Sequence, residues 1–271
     1  MDWILFCFKA KVKVMGASQI GFYAVKRPNL KGSGFLILAY KLGMPLSKKA
    51  LPFRLIFQIM DPLIKLLKKK PEALKILGGA WEILYIERSA PDVGKRRENF
   101  LRLFFKKEFG LKVRAAPSTG RGWDISIVIN RKERKYNIKT TENIGTIKVA
   151  WNGFPSIERA RKYVVEAPIL YVVGNRSKKE ISVFNFEPED IEHLKSTLGD
   201  NIWWIPKNTT NPKGFGLAKN AVEELIKIAK QKENYASTTY EPINMEESAR
   251  GYWEKWYHLV RDLALKPSKP K

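Results

Sequence analysis

The chain has 271 residues, 44% of them hydrophobic, so it can fill a core and is not a disordered polyelectrolyte. Fifty Lys plus Arg against 27 Asp plus Glu leave a formal charge of +23 at pH 7, far more than solubility needs, which points to a polyanionic partner. One Cys (Cys7) and two His (His193, His258) exclude a disulfide framework and a Cys/His zinc site.

Residues 1–14 place the acidic Asp2 before a short apolar stretch and lysines after it, the reverse of a secretory leader. An upstream extension and a part of the fold are both open readings of this segment. The most apolar window, 51–67, carries Arg54, Asp61 and Lys65 and is broken by Pro62, so a soluble, cytoplasmic protein with no membrane partner is expected. Residues 1–75 hold fifteen basic side chains against three acidic ones. Apolar residues at three- and four-residue spacing (Leu55, Ile59, Leu63, Leu66, Leu67) predict helices broken at Pro62 and Pro71. The run Lys68, Lys69, Lys70 ends one of them, either as a solvated helix terminus or as a phosphate contact. Residues 1–90 thus read as a basic, helical N-terminal region that clamps a polyanion, dimerises, or does both.

From Gly94 the pattern changes. An amphipathic helix over 99–109 stops at Gly110, and three β-prone runs follow at 111–115, 123–129 and 135–140. A helix is expected over 156–166, strands at 169–173 and 181–186 around a turn at Gly174 and Asn175, and a helix over 187–198. Alternating helices and strands predict an α/β fold, a mixed β-sheet flanked by helices, over 91–200. Residues 201–271 continue as a loop and two helices, 217–232 and 246–265, for DNA binding or dimerisation. Trp253, Trp256 and Tyr257 recur at helical spacing, which suits a buried stripe better than base stacking. The Gly32–Gly34 segment lacks the Lys-Ser/Thr ending of a phosphate-binding loop, so no nucleotide cofactor is expected.

The strand at 123–129 alternates, with Ile125, Ile127 and Ile129 on one face and Asp124, Ser126 and Val128 on the other. A symmetric hairpin centred between Arg131 and Lys132 would put Asp124 opposite Lys139, Ser126 opposite Asn137 and Ile127 opposite Tyr136. Asp124, Asn137 and Lys139 then share one face. Such a trio suits phosphodiester hydrolysis: carboxylate, amide and strand-carbonyl oxygens hold Mg²⁺, a hard cation, while Lys orients water and stabilises charge on phosphate. An exposed Asp–Lys cross-strand pair is the ordinary alternative.

Three further features accompany the trio: the flexible, basic Gly120-Arg121-Gly122 approach, Glu98 at the start of the preceding helix, and the order helix, strand pair, helix, two strands. With these, residues 94–198 resemble the PD-(D/E)xK nuclease superfamily, the fold of many type II restriction endonucleases. The match is Glu98, Asp124 and Asn137-Ile138-Lys139, with Asn137 where the family usually carries an acid. The resemblance implies a restriction-endonuclease-like core with helical N-terminal and C-terminal additions. It makes Asp124 the essential metal ligand, Asn137 a weaker one, the Ile138 carbonyl a third, Lys139 the catalytic lysine and Glu98 an auxiliary ligand, with Glu108 on the same helix as competitor. A Glu in the first turn of a helix is also favoured by the helix dipole alone.

The activity so implied is Mg²⁺-dependent cleavage of double-stranded DNA at a short, specific sequence, as a type II restriction enzyme of a restriction-modification system, by a homodimer or by a monomer cutting one strand at a time. A DNA repair or junction-resolving nuclease of the same fold and a non-catalytic nucleic-acid-binding protein are the alternatives. DNA contacts are expected from Arg121 and from two polar loops, 140–155 with Lys148 and Asn152, and 203–216 with Lys207, Asn208, Asn211 and Lys213. Trp151, Trp203 and Trp204 in those loops are expected to pack in a core.

Overall fold

The computed structural model describes residues 60–86, 93–117, 122–150, 153, 155–207, 214–241, 257–258, 261–262 and 264–265, together with strands at 5–7, 20–26 and 35–41. The chain forms two compact units, Met1–Ile59 and Met60–Lys271. In the first, β1 (Leu5–Cys7), β2 (Ile20–Lys26) and β3 (Phe35–Lys41) form an antiparallel sheet in that order, with Ile20 opposite Lys41 and Lys26 opposite Phe35. Strands therefore occupy part of the stretch 1–90 expected to be helical. Its β-prone residues Ile20, Phe22, Tyr23 and Val25 account for them, and the helical spacing holds only downstream.

The second unit opens with α1 (Pro62–Lys69) and α2 (Pro71–Ile86), each starting at the proline that was expected to break the helix. Asp61 caps α1, accepting the N–H groups of Leu63 at 2.8 Å and Ile64 at 3.2 Å, while Pro62 occupies a first-turn position where no donor is missed. Helix α3 (Val93–Phe109) ends at Gly110, whose φ of +62° lets Leu111 N–H return to the Phe105 carbonyl at 3.3 Å.

Then follow β4 (Lys112–Ala115), β5 (Ile125–Ile129), β6 (Lys132–Thr141), β7 (Ile147–Ala150), α4 (Ile157–Arg161), β8 (Ile169–Asn175), β9 (Glu180–Phe186) and α5 (Pro188–Leu198). After a 3-10 turn at Gly199–Ile202 come β10 (Trp203–Trp204), β11 (Phe215–Leu217), α6 (Lys219–Gln231) and β12 (Tyr235–Thr239). A six-stranded sheet has the order β12-β9-β8-β6-β5-β4, with β6 and β8 parallel and the other neighbours antiparallel. A second, three-stranded sheet has the order β10-β11-β7. The α/β class, a mixed sheet flanked by helices, is as expected from the sequence.

Each face of the large sheet carries a core. Ile125, Ile127, Tyr136, Ile138, Leu170, Val172, Ile181 and Val183 pack against α1, α2 and α3 through residues such as Leu63, Leu77, Phe100 and Phe104. Ile169, Tyr171, Phe184 and Phe186 pack on the other side against α5, α6 and the small sheet, through Ile191, Leu225, Val149 and Phe215. At about 25 cal/mol per Å² of buried apolar surface, these two layers supply the main driving force for folding.

Several boundaries differ from expectation. The α4 helix stops at Arg161 instead of running to 166. Strand β8 continues through Gly174 and Asn175, and the turn lies at 176–179, because the Asn175 side chain accepts from Ser177 Oγ at 2.8 Å and Lys178 N–H at 3.1 Å. The edge strand β12 was not expected. Its sequence YASTT alternates only weakly because most of it faces water.

Candidate active site

The β5–β6 hairpin sets the site. Asn130 (φ +52°) and Arg131 (φ +63°) both adopt the left-handed conformation, so the turn has two residues and its centre lies between them. Ile125 therefore faces Tyr136, Ser126 faces Lys135 and Ile127 faces Arg134. The register expected from a hairpin centred between Arg131 and Lys132, with Asp124 opposite Lys139, is corrected by two positions. An even shift keeps every side chain on its expected face, which is why the grouping of Asp124, Asn137 and Lys139 survives the correction.

At the start of β5 the ladder is irregular. Asp124, which just precedes the strand, donates its N–H to the Tyr136 carbonyl at 2.8 Å although Tyr136 is the partner of Ile125. The carboxylate turns back onto β6, where Oδ2 accepts the Ile138 N–H at 2.6 Å and lies 4.0 Å from Lys139 Nζ. The N–H and C=O of one strand residue point to the same side, so the Ile138 carbonyl is also directed to the Asp124 side. Asn137 donates its N–H to the Pro168 carbonyl at 2.9 Å, and its side-chain Oδ1 is buried without a hydrogen-bond partner.

Lys139 sits on the same face, with 16% of its side chain exposed. Burial draws its pKa below the usual lysine value, and the charges of Asp124 and Glu98 oppose that shift. Glu98, on α3, thus acts on Lys139 through space, while its carboxylate pairs with Lys95 at 3.1 Å. Glu108 is held elsewhere: it bonds Lys70 at 2.8 Å, Tyr257 Oη and Arg261, a buried bracket between α1, α3 and the C-terminal helical residues. It therefore does not compete with Glu98 for the site. Tyr257 lies in the core, as its spacing suggested.

Upstream on β6 a buried network fixes the strand. Asp61 accepts Tyr136 Oη at 3.0 Å, lies 2.8 Å from Arg134 Nε, and donates its own N–H to Asn234 at 2.9 Å. Arg134 also donates to Glu187 at 2.7 Å. Burial raises the pKa of Asp61 and of the Tyr136 phenol, and the Arg134 charge opposes both shifts. One residue separates Tyr136 from Ile138, so this network holds the backbone that carries the site.

The loop residues expected to meet DNA are distributed as follows. Lys148 is in β7, opposite Gly216 of β11, and Lys207 is exposed just after β10. Arg121, Asn152, Asn208, Asn211 and Lys213, together with Trp151, Trp253 and Trp256, lie outside the described residues. The two loop regions are not independent. Ala150 pairs with Phe215, and Gly214 N–H donates to the Gly153 carbonyl at 3.1 Å, so the described ends of the two regions meet at one end of the small sheet. Trp203 is buried, as expected, and Trp204 is half-buried.

Tyr163 joins this sheet to the Asp124 region. Its ring meets Trp203 and Phe215 edge-on at 6.5 and 5.4 Å, and its hydroxyl donates to the Val149 carbonyl at 3.1 Å. Its phenol pKa is raised by burial and by the charges of Glu166 and Asp124. Neither Tyr163 nor Glu166 was singled out from the sequence. They arrive through the parallel pairing of β6 with β8, which strand spacing alone does not reveal.

Among the described residues no three His, Cys, Asp or Glu side chains gather into one metal-binding group. The expected ligand positions all offer oxygens: the Asp124 carboxylate, Asn137 Oδ1, which is buried without a hydrogen-bond partner, and the Ile138 carbonyl. This set fits a hard divalent cation and not a thiophilic one. No helix among the described residues is long and apolar enough to cross a membrane.

No protein-family model matches the chain, and no curated protein matches it. Among solved structures, one similar chain is described as a restriction endonuclease in complex with substrate DNA. It shares 19% identity with a TM-score of 0.48, over 74% of this chain and 94% of that one.

Proposed function

We propose that this protein is a divalent-cation-dependent DNA endonuclease. The observation that carries the reading is the Asp124 carboxylate 4.0 Å from the largely buried Lys139 ammonium, on the strand that also carries Asn137, whose Oδ1 is buried without a hydrogen-bond partner. A buried acceptor without a partner costs about 1–3 kcal/mol, and a bound cation or its water would satisfy it. Asp124, Asn137 and the Ile138 carbonyl would hold Mg²⁺, with Glu98 in an auxiliary role. When bound, that ion polarises a phosphodiester and lowers the pKa of a water. Lys139 places its ammonium where negative charge develops on the phosphate, and its lowered pKa brings it nearer to exchanging a proton with the attacking water.

The net charge of +23 supports a nucleic-acid substrate through phosphate contacts. Lys148 and Lys207 are proposed to contact DNA, together with Arg121, Asn152, Asn208, Asn211 and Lys213, which lie outside the described residues. The finer reading is a type II restriction enzyme that cuts double-stranded DNA at a short site, in the cytoplasm, with residues 1–90 and 201–271 serving DNA clamping or dimerisation.

The test is a gel. The full chain is incubated with plasmid and phage DNA, with Mg²⁺ or a chelator, beside Lys139→Ala. Discrete fragments that need both the cation and Lys139 support the reading. Cleavage confined to branched or damaged DNA selects a repair or junction nuclease. DNA retarded but intact, across modified DNA and RNA as well, leaves a binding protein and reduces the trio to a cross-strand ion pair.

A further inference from the structure

The side of the large sheet that packs on α5 and α6 is covered only in part. Its core draws Ile169, Tyr171, Phe184 and Phe186 from β8 and β9 and takes no residue from β4, β5 or β6. The same face of those three strands carries Lys112 and Arg114 on β4, Ser126 and Val128 on β5, and Glu133 and Lys135 on β6. Its four charged side chains are all exposed. This face also bears Asp124, Asn137 and Lys139, so the open half of the sheet runs directly into the candidate active site.

Two rows of ladder partners cross it. Lys112, Val128 and Glu133 form the outer row, and Arg114, Ser126 and Lys135 form the row nearer Asp124. The outer row sets a cation and an acid on its two flanks, as a balanced sheet surface does. The inner row does not. Ser126 is buried between two cations, and among the described residues neither Arg114 nor Lys135 forms an ion pair. Glu133 and Glu166 line a hollow of about 320 Å³ together with Lys135, yet neither pairs with it. The Lys135 ammonium instead lies over the Trp123 ring, 4.9 Å from its centroid, which holds it beside the residue that precedes Asp124.

Charges that guard a sheet edge against further pairing account for Lys112 and Arg114, since β4 is an edge strand. They do not account for Lys135, whose strand is paired on both sides. Strand rise sets Lys135 about 13 Å from Lys139 along β6, and strand spacing sets it about 10 Å from Arg114 across the sheet. A duplex strand carries one phosphate per ~3.4 Å of axis, so the distance from Lys135 to Lys139 spans about four of them.

We propose that the open face of β4, β5 and β6 binds the phosphate backbone of duplex DNA, with Arg114 and Lys135 holding the strand that reaches Asp124 and Lys139. This rests on the reading of that site as a nuclease centre and names where its substrate lies. It adds a surface on the sheet itself to the polar loops expected from the sequence.

The experiment is fluorescence anisotropy of a labelled duplex of mixed sequence with the full chain, in EDTA, over a series of KCl concentrations. The parent is compared with Arg114→Gln/Lys135→Gln and with Lys106→Gln/Lys107→Gln. The second pair is exposed on α3, which packs on the opposite face of the sheet, so both variants lose the same net charge. All four positions are exposed, and each variant keeps the parent melting temperature. The expected result is binding weakened about tenfold or more in the first variant, with a log–log salt slope shallower by about two, and a smaller change in the second. Equal weakening in both variants, or parent-like binding in the first, overturns the surface; if the parent cuts DNA with Mg²⁺, the nuclease reading stands without it. Binding that depends on Arg114 and Lys135, in a parent that cuts nothing with Mg²⁺, keeps the DNA surface and overturns the nuclease reading. A parent that binds no duplex overturns both.

Discussion

The Asp124 carboxylate accepts the backbone N–H of Ile138 at 2.6 Å, taking a donor that the β5–β6 ladder would otherwise have paired. One hydrogen bond thus does two things. It orients Asp124 toward β6, and it holds the strand between Asn137 and Lys139 at a fixed distance from that carboxylate. Asp124→Asn keeps an oxygen acceptor for Ile138 and removes the charge. Cleavage is expected to fall by about 10²–10³-fold or more, while DNA binding in a mobility-shift assay changes little. Asp124→Ala also loses the hydrogen bond, and its unfolding free energy should drop by a further ~1 kcal/mol in denaturant melts. Equal cleavage by parent and Asp124→Asn would remove Asp124 from the chemistry.

Lys139 gives a prediction with opposite signs for activity and stability. Its ammonium is largely desolvated, and its pKa lies below the ordinary 10.5. For a lysine depressed in the folded state, the unfolded chain binds more protons between the folded pKa and 10.5, so stability rises with pH across that window. Below the folded pKa the cost of the buried charge is fully present. Lys139→Met removes this cost, so the variant should be inactive yet melt no lower than the parent near pH 7, and its advantage should shrink as pH approaches 10. A fall in Tm of more than about 3 °C at pH 7, roughly 1 kcal/mol for a unit of this size, would contradict the desolvation account.

The placement of Asp124 and Lys139 on one face was legible in the sequence because it depends on parity along two strands. Alternation of Ile125, Ile127 and Ile129 fixed the faces, and an even error in register could not move Asp124, Asn137 and Lys139 apart. What could not be read was anything that depends on which distant strands pair. Two stretches that look like polar loops, 140–155 and 203–216, prove to share a small sheet through Ala150 and Phe215. The parallel union of β6 with β8 sets the segment before β8, with Tyr163, next to β6. Asp61 shows the same limit: in the sequence it is one charge in an apolar window, and its bond to Tyr136, 75 positions away, exists only in the fold.

Tyr136→Phe isolates the network behind the site. The ring stays in the core beside Ile127 and Ile138, while Asp61 loses the phenol donor but keeps Arg134 and two N–H groups of α1. Stability should fall by about 1–2 kcal/mol in denaturant melts. Because the substitution leaves Asp124, Asn137 and Lys139 untouched, cleavage at a temperature well below the melt should stay within a few-fold of the parent. A large loss of cleavage in a fully folded variant would mean that β6 is not held by the remaining bonds.

Asn137→Asp tests the neutral position directly. Without a cation, the new carboxylate would share a partly buried site with Asp124, and repulsion between them should lower the melting temperature in chelator. Added Mg²⁺ binds only the folded state in this arrangement, so it should restore the melting temperature, and by more than it does for the parent. The Mg²⁺ concentration needed for half-maximal cleavage should fall as well, since a carboxylate is a stronger ligand for a hard cation than an amide oxygen. Melts in chelator and in graded Mg²⁺, run for both proteins, separate the two effects. If Mg²⁺ shifts parent and variant equally, and the requirement in cleavage is unaltered, Asn137 does not face the cation and its buried oxygen must be satisfied by water alone.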